Sequence, residues 1–177
     1  GDGADPLRAP DPTSLLERTS TRDDARAGVP GVRVSVLSQN VALLDAKLLG
    51  FIDYARTPLL DERREALPAV FLEGAPKIVL LQEVWLPEDV DGFQAAAEAR
   101  GYLAFPGSRE GHNDGLMTLI HSSLVEDESA MESGVVAYQA QDGLEHFPGP
   151  GIKRGYQWVR FSAPQLGTLV VFNTHMQ

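Results

Sequence analysis

Apolar positions in this chain come in short bursts, and three of the bursts stop on polar clusters. Val34 to Leu37 runs into Gln39-Asn40, Ile78 to Leu81 into Gln82-Glu83, and Leu169 to Phe172 into Asn173-Thr174-His175. Bursts this short and this rich in Val, Ile and Leu predict buried strands, and in α/β sheets the strand ends are where ligands are usually held. The pattern predicts a site assembled at strand ends.

The remaining periodicity predicts how those strands are joined. Residues 1–30 are rich in Asp, Pro, Arg and Gly, with Leu15-Leu16 the only adjacent large apolar pair, and read as an extended arm or linker; the domain starts at 31 and runs to 177. After the first strand, Asp45 can cap a helix over Leu48 to Tyr54. Thr57-Pro58 can start a second helix that carries Leu60, Leu67 and Phe71 on one face and is bent or divided at Pro68. Lys77 to Gln82 is the next strand. The strand, helix, strand order implies a parallel crossover that puts both polar ends on one edge. Pro87 opens a helix with Glu88, Asp89 and Asp91 in its first turn, Val90, Phe93 and Ala97 on one face, and Gly101 as its stop. Strands then follow at Tyr102 to Phe105, Leu116 to Ile120, Val135 to Tyr138, Tyr156 to Phe161 and Leu169 to Phe172. The Gly- and Pro-rich stretch from Gln141 to Arg154 reads as a long loop.

Composition narrows the choices. A chain of 177 residues suits one domain, which at this size buries about two thirds of its unfolded surface. With 43% hydrophobic and 23% charged residues the balance is that of a globular protein, and no apolar run approaches the roughly 20 residues of a membrane helix. A net charge of -10 opposes sequence-independent binding to phosphate backbones. The absence of cysteine removes thiolate metal sites, cysteine nucleophiles and disulfides. The first residues lack an initiating Met and a signal-peptide pattern, as in a processed or trimmed product, and a secreted or periplasmic location is slightly favoured in an otherwise open choice.

Singly, the polar residues have two readings each. Glu83 is a solvated strand-end carboxylate or a hard oxygen ligand for Mg²⁺, which takes one or two carboxylates with waters and phosphate oxygens. Asn40 is a turn residue or a polar site residue, and His175 a hydrogen-bonded edge histidine or a phosphate contact. Together and in this order, Asn40, Gln82-Glu83 and Asn173-Thr174-His175 resemble the first motifs of the endonuclease/exonuclease/phosphatase (DNase I-like) superfamily. Leu80-Leu81-Gln82-Glu83-Val84-Trp85 resembles its metal-ligand strand, Gly115-Leu116-Met117-Thr118-Leu119-Ile120 its following hairpin strand, and Val171 to Gln177 its histidine strand.

The resemblance covers Val32 to Gln177 and implies the N-terminal half of a DNase I-like four-layer α/β sandwich, two packed mixed β-sheets flanked by helices. It implies Glu83 as the Mg²⁺ ligand, with Mn²⁺ or Ca²⁺ as substitutes, Asn40 positioning metal or phosphate, and His175 donating to a phosphate oxygen. Asn173 belongs to the same catalytic motif, and Asn113 or Asp114 falls where some members place a further substrate contact. The family's later Asp-x-Asn and Asp-His motifs have no counterpart in these residues. The second sheet is therefore expected to be largely missing, the chain to expose one face of its core, and the rest to come from a second polypeptide. The wording is most similar to neutral sphingomyelinases and related phospholipase C-type enzymes. That implies a phosphodiesterase using in-line water attack and favours a phospholipid headgroup over nucleic acid. Peripheral membrane contact through Phe147 and Ile152 is an alternative to a plain connector there. The competing readings are a DNase-like or deadenylase-like nuclease, an inositol-phosphate phosphatase and, from another class, a noncatalytic binding module.

Overall fold

The computed structural model describes residues 31–48, 52–108, 114–138 and 154–175. The expected arm over 1–30, Asn113, and the greater part of the Gly- and Pro-rich stretch, with Phe147 and Ile152, lie outside the described residues. The chain divides into Gly1–Gly31 and Val32–Gln177, and every element below belongs to the second unit.

Four strands make the first sheet. β1 (Val36–Asn40) pairs in parallel with β4 (Ile78–Gln82), β4 pairs antiparallel with β6 (Met117–His121), and β6 antiparallel with β5 (Tyr102–Pro106). The parallel pairing expected from the strand, helix, strand order is present. β4 and β6 are central, and period-two alternation divides their side chains between two faces. Val79, Leu81, Met117 and Leu119 pack against the helices, in a core shared with Leu60, Leu72, Val90, Phe93 and Ala97. Ile78 and Ile120 face the other way, into a second core with Val159, Phe161 and Ala163. Burial on both faces is why β4 reads as a nearly unbroken apolar run.

The second core is closed by an antiparallel sheet of β7 (Glu132–Ala137), β8 (Gly155–Ala163) and β9 (Gly167–Thr174). This corrects one expectation. The second sheet is not largely missing: three of its strands cover the inner face of the first sheet. On the outer side of the second sheet Val136, Val170 and Phe172 stand in solvent, Phe172 at 59% exposure.

The described residues of the stretch from Asp45 to Tyr54 are not helical. The stretch contributes β2 (Asp45–Leu48) and β3 (Ile52–Arg56), an antiparallel pair. Its apolar spacing fits a helix, but Gly50 costs a helix about 1 kcal/mol relative to Ala, and the pair is closed by Thr57, whose N–H donates to Leu44 O (2.9 Å) while its hydroxyl accepts from Leu44 N (3.3 Å). Thr57 thus closes a hairpin rather than opening a helix. Helix α1 (Leu60–Glu73) begins after a left-handed Leu59 and runs through Pro68 without dividing. Pro68 is buried, so its ring contributes packing that offsets the backbone hydrogen bond it cannot make. Helix α2 (Pro87–Glu98) has Pro at its first position and buries Val90, Phe93 and Ala97, and Gly101 follows it at φ 77°, as its sequence predicts. Asp89 in its first turn is buried rather than solvated: Arg64 of α1 donates to it at 2.6 Å, joining the two helices. Burial pushes the Asp89 carboxyl above the usual range, and the Arg64 guanidinium pulls against that shift.

Candidate active site

Strand register brings the three polar clusters together. Asn40 and Gln82 are partners across the β1–β4 ladder, so Glu83, one residue further, emerges beside Asn40. β9 lies in the other sheet. Its inward series Leu169, Val171, Asn173 ends facing β4, and His175 follows two residues later.

At Glu83 the chain leaves the ladder in a left-handed conformation, φ 64°. That conformation costs an L-residue about 1–2 kcal/mol, and such strain in a non-glycine residue gathers at functional sites. Neighbouring backbone holds it there: Val84 N–H donates to Gly115 O (2.9 Å) and Leu43 N–H to Glu83 O (3.3 Å). Gly115, at φ 66°, has no room for a side chain, because a Cβ there would meet the Trp85 ring at 2.8 Å. Trp85 thus packs over the turn that carries the carboxylate.

The side chains meet at short range. Asn40 Nδ2 donates to Glu83 Oε1 at 2.7 Å and lies 3.3 Å from His175 Nε2, while Asn40 Oδ1 accepts from Ala42 N at 2.8 Å. Glu83 Oε1 and His175 Nε2 are 3.6 Å apart, with side-chain exposures of 15% and 18%. Asn40 therefore steadies the carboxylate and the imidazole together. Glu83 Oε2 has no hydrogen-bond partner among the described residues and is available to a cation. Among those residues no group of three or more His, Cys, Asp or Glu gathers, which does not suit an all-protein metal cage. It does suit Mg²⁺, which keeps several waters and needs one or two carboxylates.

Two further expected site residues are placed differently. Asp114 is buried, and its carboxylate accepts from Ser108 N (3.0 Å) and Leu116 N (2.9 Å), the backbone on either side of the β5–β6 connection. That placement makes it a clamp on the connection. Asn173 is 2% exposed and directs its amide into the protein, donating to Leu81 O (3.0 Å) and Met117 O (3.1 Å) and accepting from Gln82 Nε2 (2.8 Å). Gln157 was not singled out from sequence. It accepts from the Thr118 hydroxyl at 2.6 Å and donates to Phe105 O at 2.9 Å. Its signal was available: it is the polar member of the inward series Gln157, Val159, Phe161, Ala163.

Comparison with protein-family models and with curated proteins finds no match. Solved structures do match. Sphingomyelinase C from Streptomyces griseocarneus aligns at a TM-score of 0.59 and 22% identity over 83% of this chain and 50% of its own. A humanized D. rerio TDP2 aligns at 0.56 and 21% over 81% and 47%. An endonuclease/exonuclease/phosphatase from Beutenbergia cavernae DSM 12333 aligns at 0.51 and 20% over 81% and 38%. The chain spans about half the length of the first two. Two packed sheets with helices on the outer side of the first, strand ends converging on one polar cluster, and these alignments agree: the chain has the DNase I-like α/β fold.

Proposed function

We propose that this chain carries the N-terminal half of a metal-dependent phosphoester hydrolase, most like a sphingomyelinase-type phosphodiesterase. The observation that carries the reading is the Asn40–Glu83–His175 cluster, set at strand ends by register and, at Glu83, by a strained backbone. Glu83 Oε2 is the anionic point at which Mg²⁺, or Mn²⁺ or Ca²⁺ in its place, would be held. Such an ion would act as a Lewis acid on a phosphoryl oxygen. Asn40 keeps the carboxylate from swinging away and leaves one of its oxygens outward. His175, beside it, donates to a phosphate oxygen as negative charge grows there, a contribution of the kind that oriented donors make in a water-poor site. The activating base is proposed to come from the half of the fold that lies outside these residues.

The test is Glu83→Gln in the completed enzyme. The variant keeps the Asn40 contact and removes the charge, so hydrolysis should fall at least a hundredfold at saturating Mg²⁺ with the fold unchanged by circular dichroism. Activity within threefold of the parent would overturn the metal-ligand role. One rival is a noncatalytic binding module, in which Glu83→Gln leaves ligand binding untouched. For substrate, the net charge of -10 and the similarity to sphingomyelinase C support a choline-type phospholipid over DNA. Side-by-side assays on sphingomyelin vesicles and plasmid DNA should give headgroup release without nicking; nicking alone would put a nuclease in its place.

A further inference from the structure

Among the described residues two buried side-chain pairs bridge the sheets, and they differ in what they are attached to. One joins Thr118 of β6 to Gln157 of β8. The other joins Gln82 of β4 to Asn173 of β9, reinforced by the two bonds from Asn173 to Leu81 O and Met117 O. Gln157 and Asn173 are partners across the β8–β9 ladder, so the bridges lie side by side at the end of an otherwise apolar interface. Only the second is continuous with the site. Gln82 immediately precedes Glu83, and Asn173 stands two residues before His175.

We propose that the Gln82–Asn173 bridge is a positioning device that sets the separation between the Glu83 carboxylate and the His175 imidazole, two groups carried by different sheets. Dispersion and area burial hold sheets together but leave sliding soft, because apolar contact is non-directional. A buried amide pair is directional, and one displaced by an ångström leaves donors without acceptors. Asn173 has both N–H groups and its oxygen engaged by protein atoms, so β9 is pinned to β4 and β6 at one point. From that point a single residue, Thr174, leads to His175. Thr174 is itself held, donating to Gly155 O at 3.0 Å and sharing a hydrogen bond with the Tyr138 hydroxyl at 2.7 Å. Asn173 thus acts through His175 without touching substrate, and Gln82 acts through Glu83. The neighbouring Thr118–Gln157 bridge provides the control.

The experiment replaces both partners by apolar residues of similar shape, Gln82→Met with Asn173→Leu, and compares them with Thr118→Val. The 177-residue chain, alone or with a completing polypeptide, is labelled on histidine. The ring resonances of His175 are then read with and without Glu83→Gln. In the parent, Glu83→Gln should move those resonances; in the Gln82→Met/Asn173→Leu background the response should fall by more than half, and in Thr118→Val it should persist. A response that persists in the double variant, or is lost equally in Thr118→Val, overturns the proposal. Should the double variant fail to fold, Gln82→Asn, which keeps the amide and retracts it by one methylene, gives the same reading. The kinetic arm rests on the phosphoesterase proposal: kcat should fall at least tenfold with KM within twofold for the double variant, since misplacement by about 1 Å can cost a hundredfold, and Thr118→Val should stay within twofold. With the completing polypeptide present, absence of hydrolysis in every variant, parent included, would remove the phosphoesterase reading while the resonance comparison still decides the positioning role.

Discussion

Glu83 is the residue at which local preference and placement conflict most. An L-residue at φ 64° pays for its conformation, and the surrounding bonds from Val84 and Leu43 hold it in place. A reversal of the usual order of substitutions follows. In a strand, Gly is about 0.5–1 kcal/mol worse than Ala, but in the left-handed region the strain falls on Ala alone. Glu83→Gly should therefore unfold at higher urea concentration than Glu83→Ala, by about 1 kcal/mol in stability, although both lose the carboxylate. A chain in which Glu83→Ala is the more stable would remove the strain argument. The sequence marked Glu83, Asn40 and His175 because each interrupts an apolar burst. It could not distinguish a polar residue facing substrate from one facing the other sheet. Asn173 reads like His175 in sequence, and only inter-sheet geometry separates a side chain engaged by Gln82, Leu81 and Met117 from one beside the carboxylate.

Among the elements, legibility followed how much of the pattern was local. Helix α2 was read nearly to the residue because Pro87, its acidic first turn and Gly101 are signals within one segment. The β2–β3 pair was missed because a short apolar stretch does not choose between helix and strand on its own, and what decides it is pairing across the hairpin. The sequence placed Asp89 in an acidic first turn and could not show its burial, since its partner Arg64 lies on another helix. That pair yields a prediction. With the Asp89 side chain fully buried, Arg64→Met strands a carboxylate and should destabilise the fold by about 3–5 kcal/mol. Arg64→Met with Asp89→Leu should recover most of that loss. Urea denaturation of the three chains checks it, and equal losses in the single and double variants would mean that Arg64 contributes packing rather than charge.

For the whole molecule, the layers are unequal. The first sheet has α1 and α2 against one face and the second sheet against the other, whereas the outer face of the second sheet presents Val136, Val170 and Phe172 to solvent, beside the tilted aromatic contacts of Tyr156 with Tyr138 and Phe172. The chain spans about half the length of the matching structures, and we propose that the polypeptide supplying the remainder covers that face. We predict that the 177-residue chain by itself hydrolyses no phosphoester and self-associates. An apolar face of this kind favours association, and among the described residues no further acidic group joins Glu83 and His175 to activate water, a contribution of roughly a hundred- to ten-thousand-fold. A completing polypeptide should carry the Asp-x-Asn and Asp-His motifs that the family resemblance implies. Light scattering after gel filtration, with and without that polypeptide, should show oligomers resolving into a uniform complex as Trp158 fluorescence shifts to the blue and activity appears. A monodisperse, active 177-residue monomer would show instead that three strands of the second sheet suffice, and the activating base would then have to be sought within this chain.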